Sequence, residues 1–476
     1  MAQVSGNPFN VKFDKVTIVK FNGNDSMEIT PQVIEFTLYQ TIFDAMIKAD
    51  MVIGEGIGLM NNYPWSGEEV VTVEVVQDGE ETPGTGQKSF RRELKFVISA
   101  IKDIVVADDA RNVMYAIELV SVEAFTNAKT RVSHAYNEDI ETMIQDVYEK
   151  YIVKTNPNAK ALKIFPDTKK IRKLVIPMLK PFDAISWLCK FAISDTPDKT
   201  YTHVFYETLD NFTFKSLQKK TFRGDEDDLA VTLASREKYF YISNLEVVKK
   251  DTQAYNALVA QGFSDTRTIN DLKMNKRYSA LEKIVGGYYE NDIVEINALL
   301  NDYKITNSQL KYKDYEFTTL HPGSGYNTKE YIENVIKEYE EPESSPRVRY
   351  IMNNFDDANQ PSFRDKFGKS ARSFLAFQQV DLTISVAANL LQRPGDLIWV
   401  ELPEFHGFNV NKRDDYLSGL FITSEIKTVM RVGGRSQSYL RINKDSFTQN
   451  LALNHNYNFN ATSPQQTSSA NTRGPR

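Results

Sequence analysis

The chain has 476 residues, a formal charge of −6 and a pI of about 5.6. It is long enough for roughly two to four domains with sizeable cores. Its mildly acidic balance leaves no electrostatic footprint for wrapping nucleic acid or an anionic membrane. The single cysteine, Cys189, excludes an intramolecular disulfide and fits folding in a reducing compartment. No secretory leader is expected from Met1 to Gly6, and no apolar run approaches the roughly 18 residues of a membrane span.

The elements follow from hydrophobic period. Val70 to Val76 alternates, which puts Val71, Val73 and Val75 on one strand face. Leu94 to Val106 reads as a long β run that returns over Val113 to Val122 after the polar turn Asp108 to Asn112. Asp78 to Arg92, with Pro83, Gly84 and Gly86 among charges, reads as a hairpin tip or loop. Asp139 to Tyr151 has helical spacing, with Asn137 as the expected N-cap. Pro181 to Ala192 opens on a proline and is a second expected helix. A hairpin follows, Tyr201 to Thr208 and Phe212 to Leu217, around the turn Leu209-Asp210-Asn211. Strands are expected again over Tyr239 to Val248, Phe377 to Ala387, Leu397 to Leu402, Leu417 to Met430 and Ser438 to Asn443. Glu338 to Arg347 reads as a linker. The stretch from Thr448 onward is rich in Asn, Gln, Ser and Thr and is expected to be a flexible tail, or one ordered by a partner.

The chain also resembles itself. Phe96-Val97-Ile98-Ser99-Ala100-Ile101-Lys102 matches Phe421-Ile422-Thr423-Ser424-Glu425-Ile426-Lys427, and an ungapped register sets Ile117 against Ile442. Gly67-Glu68-Glu69-Val70 and Gly395-Asp396-Leu397-Ile398 stand upstream of the two copies. Chance similarity between two hairpins is one reading, because strands draw on a restricted alphabet. Duplication of a barrel-like antiparallel domain is the other. A trimer of a two-copy chain would present six similar domains around one axis.

His203 to Leu217 is similar to a strand-turn-strand of the baseplate central hub proteins of contractile-tailed bacteriophages, which are related to the hub part of secretion-system spike proteins. Lys180 to Leu188, Ile29 to Phe36 and the Gly395 to Ile442 segment fit the same family. The resemblance implies a β-rich α+β chain with two tube-like antiparallel β-barrel domains, inserted mixed α/β domains and ring formation. The expected division is 1–125 for the first tube-like domain and 126–235 for a mixed α/β domain. Segments 236–270 and 370–447 form the second tube-like domain, 271–369 an inserted domain with loops, and 448–476 the tail. As implied partners it gives two further copies in a homotrimer, the tail tube or tube-initiator protein, and a separate central spike protein. Tape measure and wedge components are further ones. DNA would pass through the channel without specific binding. The implied location is the virion tail baseplate, after assembly in the host cytoplasm. The 78–92 insertion is long for a tube hairpin.

No catalytic, cofactor or metal residue is assigned. His134, His203, His321, His406 and His455 do not pair at metal-ligand spacing. Cys189 has only Lys190 as a basic neighbour, which suits a buried inert thiol. Gly54-Glu55-Gly56-Ile57-Gly58 lacks both phosphate-loop and dinucleotide spacing and reads as a turn. Asp225 to Asp228 lacks the alternation of a calcium loop, and reads as a solvated acidic turn. The adjacent pairs Glu68-Glu69 and Asp108-Asp109 would point to opposite faces of a strand, so they make poor acid and base partners. The alternatives to a structural, non-enzymatic hub are a tail-associated peptidoglycan hydrolase, for which two distant carboxylates suffice, and a receptor-binding tail protein.

Overall fold

The computed structural model describes residues 11–20, 23, 25–65, 67–78, 89–106, 112–165, 168, 171–194, 202–217, 239–241, 268–276, 279–286, 292–297, 302–304, 348–352, 370, 373–403, 414, 416–432 and 436–445. Residues 79–88 of the expected 78–92 loop, the Asp225 to Asp228 turn, the Glu338 to Arg347 linker, the tail, and His321, His406 and His455 lie outside the described residues, while Asp78 and Ser89 to Arg92 belong to paired strands and not to a loop. The fold is β-rich, with one large, mostly antiparallel sheet and few helices.

The first part of the chain supplies β1 (Val11–Val19), β2 (Ser26–Glu28), β3 (Val33–Thr41), β4 (Lys48–Glu55), β5 (Val70–Asp78), β6 (Ser89–Val106) and β7 (Val113–Ser121), with the short helix α1 (Leu59–Asn62). Val71, Val73 and Val75 are fully buried, as their alternation predicts. They pack with Phe36, Met51, Phe96 and Ile117 in one core. The early strand begins only at Val33, because Thr30–Gln32 forms a 3-10 turn around Pro31. The fixed φ of proline suits that turn, and its missing N–H would leave a gap in a strand ladder.

A mixed unit follows. It comprises α2 (Val122–Lys129), β8 (Val132–Glu138), α3 (Ile140–Tyr148), β9 (Ala161–Ile164), β10 (Arg172–Leu179), α4 (Pro181–Cys189), β11 (His203–Glu207) and β12 (Asn211–Ser216). Met143, Ile144 and Val147 of α3 meet Phe182, Ile185 and Leu188 of α4 in a separate core. The N-cap of α3 is Asp139 rather than the expected Asn137: its carboxylate accepts from the Thr142 N–H at 2.9 Å. Asn137 is instead in β8, paired with Lys173. Helix α4 stops at Cys189, short of Ala192.

The rest of the described chain supplies β13 (Tyr239–Tyr241), β14 (Asp271–Lys276), α5 (Ala280–Gly286), β15 (Asp292–Asn297), β16 (Asp302–Lys304), β17 (Val348–Met352), β18 (Val380–Ala387), β19 (Leu397–Glu401), β20 (Gly419–Arg431) and β21 (Gln437–Lys444). The large sheet runs β14-β18-β21-β20-β3-β4-β7-β6-β5-β1-β2, with β19 also on β20 and β13 on β19. Strand β14 falls at the start of the segment expected to be an inserted domain, yet it pairs with β18 in the large sheet. The physical reason is side-chain burial: Leu272 and Met274 pack against Leu382, Ile384 and Ile442 of the third core.

Candidate functional site

Two stretches of the large sheet have the same architecture. One runs β3-β4-β7-β6-β5, the other β14-β18-β21-β20-β19. In the first, Val71 pairs with Phe96 and Ile101 with Ile117, with a bulge between Ile98 and Ala100. In the second, Ile398 pairs with Phe421 and Ile426 with Leu440, with a bulge between Thr423 and Glu425. A bulge is one extra residue that bends and twists its strand, and here it falls at Ser99 and at Ser424, the positions that match in sequence. The Ile98 N–H donates to the Glu69 carbonyl, and the Thr423 N–H donates to the Asp396 carbonyl. Gly67, two residues before Glu69, and Gly395, directly before Asp396, stand at φ of 87° and 85°, a conformation that favours glycine. The sequence register needs one correction. Through the hairpins Ile117 answers Leu440, and Leu119 answers Ile442, because β6 carries one extra residue between Lys102 and Val105 and the β6–β7 connection is one residue longer than its counterpart. The stretches differ at their ends, since β1 pairs antiparallel with β5 whereas β13 pairs parallel with β19.

The two stretches meet edge to edge where β20 pairs antiparallel with β3, from Glu425·Thr41 to Arg431·Glu35. This seam buries Val429 and Met430. It is dressed outside by the Arg431–Glu35 ion pair at 2.6 Å and by Lys427 over the Tyr39 ring at 5.6 Å. Burial and the Asp50 carboxylate push the Tyr39 phenol up to about 12.

The sheet face away from the cores carries paired charges beside a few exposed apolar side chains such as Met114. Cations and anions alternate across it: Lys102 with Glu118 at 2.5 Å, Arg431 with Glu35, and Arg441 with Asp381 at 2.7 Å and Glu425 at 3.0 Å. A groove over the seam is lined by Tyr39, Asn275, Thr383, Glu425, Lys427 and Arg441. Such a face has no uniform sign with which to hold a polyanion.

The mixed unit is fastened to both stretches by charged side chains, half-buried at Asp210 and fully buried at Glu207. Asp210, in the turn between β11 and β12, bridges Arg92 of β6 at 2.5 Å and Arg393 at 2.6 Å. Glu207, fully buried, accepts from the Ile47 N–H at 2.7 Å and from Lys160 Nζ at 2.5 Å. Burial pushes its carboxyl up, against the pull of Lys160. Lys444 Nζ, also buried, donates to the carbonyls of Tyr416, Leu417 and Ser418. Sequence reasoning assigned these three residues no role. The only signal was the Leu209-Asp210-Asn211 turn, read as a turn and not as a clamp.

The groups weighed for chemistry lie apart. His203 stacks on Phe214 at 5.5 Å, and His134 meets the Tyr136 ring edge-on at 4.6 Å. Cys189 is buried. Glu55 turns its carboxylate onto the N–H groups of Ile57 and Leu59, so the glycine-rich segment closes a turn at the start of α1. Glu69 is buried and accepts from the Gly67 N–H, while Glu68 is exposed. Among the described residues no cluster of three or more His, Cys, Asp or Glu converges, and no helix is long and apolar enough to cross a membrane.

No protein-family model matches this chain, and no curated protein sequence does. Solved structures of tail proteins and of a type VI secretion system component are similar to it in fold. The tail protein from Neisseria meningitidis MC58 is 11% identical, with 92% of this chain and 97% of that one covered at a TM-score of 0.48. The 43 kDa tail protein of prophage MuSo2 from Shewanella oneidensis is 9% identical, with 90% and 97% covered at 0.46. The E. coli c3393 protein, described as a type VI secretion component similar to phage T4 tail proteins, is 10% identical, with 88% and 75% covered at 0.40.

Proposed function

We propose that this chain is a non-enzymatic baseplate hub subunit. Three copies form a ring of pseudo-six-fold symmetry that adapts a hexameric tail tube to a trimeric central spike in a contractile-tailed virion. One observation carries the reading: the chain holds two equivalent bulged sheet units joined edge to edge by β20 and β3. Three such chains offer six equivalent units to a six-fold partner while remaining three-fold themselves. The family resemblance of the Pro181 to Leu217 region supports the same reading. We assign 1–125 and the later strands, β14 included, to the two tube-like domains, and 126–235 to the mixed domain. The charge-balanced outer face suits a channel wall past which DNA slides without being held. Light scattering on the purified chain tests the ring, alone and with its spike partner. A mass three times the 54.4 kDa of one chain is expected, with six-lobed averages viewed down the axis. A species that stays monomeric under both conditions overturns the reading.

A further inference from the structure

In the mixed unit, β8 and β10 form a two-stranded ribbon. On its inner face Arg172, Leu174 and Ile176 of β10 are buried. The outer face departs from the polar-out pattern of a half-buried strand. Ile171, directly before β10, is 66% exposed and Val175 is 60% exposed, with Lys173 between them. Val175 stands opposite the exposed Ala135 of β8. Among the described residues no strand pairs with the second edge of β10. An open edge beside exposed β-branched side chains is a template for a further strand. The template is short. Pro177 has no N–H to give, and Met178 stands at φ 55°, outside the extended range, so the usable edge ends at Ile176.

A complementary pattern lies beyond β21. From Asn450 to Ala461 the chain reads Asn-Leu-Ala-Leu-Asn-His-Asn-Tyr-Asn-Phe-Asn-Ala. Leu451, Leu453, Tyr457 and Phe459 fall on one side of a period-two alternation, with His455 at its middle, and the other side is nearly all Asn. No Lys, Arg, Asp or Glu occurs between Asp445 and Arg473. Asn is a poor strand former, so this alternation needs an existing edge to pair with.

We propose that residues 450–461 add to the open edge of β10 as a third strand of the ribbon, within the same chain or on a second copy of it. The outward positions beside that edge, Ile171, Lys173 and Val175, run apolar, polar, apolar. Leu453, His455 and Tyr457 run the same way. With His455 seated opposite Lys173, each apolar residue meets an apolar one, whichever direction the added strand takes. Apolar side chains directly opposite stabilise a sheet, and the added strand satisfies the edge by backbone hydrogen bonds. A second copy of β10 is a poorer occupant. The same centring would set Lys173 against Lys173, and like charges directly opposite destabilise. The imidazole of His455 is uncharged near pH 7 and avoids that repulsion.

The test uses the full chain. Val175→Cys is combined with Leu453→Cys for an antiparallel strand, or with Tyr457→Cys for a parallel one, under mild oxidation. Side chains directly opposite lie about 5 Å apart at the Cβ atoms, and the natural Cys189 is buried. One of the two combinations is expected to cross-link, seen as a dimer on a non-reducing gel or as an intrachain bond by peptide mass. Val175→Cys with Asn454→Cys, which points to the other face, is expected to stay open. No cross-link in either combination, or an equal yield with Asn454→Cys, overturns the strand. A second arm follows hydrogen exchange at the β10 amides on the open edge. His455→Lys, which restores a like-charge pair with Lys173, is expected to speed it at least tenfold, and His455→Glu to slow it. Equal exchange in the two variants overturns the register. Both readouts are available in a monomer as in a trimer, so this inference stands or falls apart from the ring.

Discussion

Asp210 is a single carboxylate between two guanidinium groups on different sheet units. Burial pulls the Arg92 guanidinium below its usual range, and Asp210 offsets this. Asp210→Ala leaves that cation uncompensated, so a loss of about 1–3 kcal/mol is expected in denaturant melts. Arg393→Ala, at a half-exposed partner, is expected to cost less. Glu207 gives a pH dependence. Its folded carboxyl lies above 4.5, so the folded chain holds that proton more tightly than the unfolded one. The stability it contributes is full below pH 4.5 and is lost as pH rises through the folded value. Glu207→Gln removes this loss, so the melting temperature of the variant minus that of the parent should rise between pH 4 and 7. A flat difference would place the cost elsewhere. Lys444→Met keeps volume but strips the donor from three carbonyls, and a destabilisation of at least ~2 kcal/mol is expected.

The bulged hairpin is the repeated element, and its two copies make a controlled comparison. Met430→Ala removes a fully buried side chain from the core around Phe36, where about 2–5 kcal/mol is expected. Val106→Ala, at the matching but exposed place, should leave the subunit's melt within ~0.5 kcal/mol. Much of this element was legible in the sequence. The Phe, Ser, Ile and Lys matches fell on equivalent positions, including the bulge serines, because a bulged strand repeats its burial pattern. The return strand was misaligned by two residues, because an ungapped comparison cannot see an insertion absorbed at Asp103 and Ile104 and in the connecting turn. Ser99 is exposed while Ser424 is fully buried, its carbonyl bonded to the Ile42 N–H. That contrast arises from neighbours and not from the matched residues.

For the whole molecule, the main constraint is that one sheet passes through both units, from β14 to β2. The seam between β20 and β3 joins residues nearly four hundred positions apart, as in the Arg431–Glu35 pair, so the units are held in one relative orientation. The Gln77 side chain adds a second tie, with Asn389 at 3.1 Å and the Leu390 N–H at 2.9 Å. Gln77→Ala unpairs both, and a cost of about 1–3 kcal/mol is expected in the thermal melt. If the melt instead splits into two transitions, the units are independent and the seam does not couple them.

Local periodicity in the sequence determined which residues face a core. The alternation at Val71, Val73 and Val75 and the helical spacing of Met143, Ile144 and Val147 both carry through to full burial, because those patterns depend only on backbone geometry. The repeat and the family resemblance were legible for the same reason, as strings of short-range preference. Tertiary structure decided which edges meet, that β14 belongs to the large sheet, that Glu207 and Lys444 are buried ties, and that Asp210 is a half-buried one. Those outcomes depend on partners beyond the local stretch, from 26 residues away for Lys444 and Ser418 to 160 for Glu207 and Ile47. A strand's own sequence specifies its two faces but not the neighbour that will satisfy its edge.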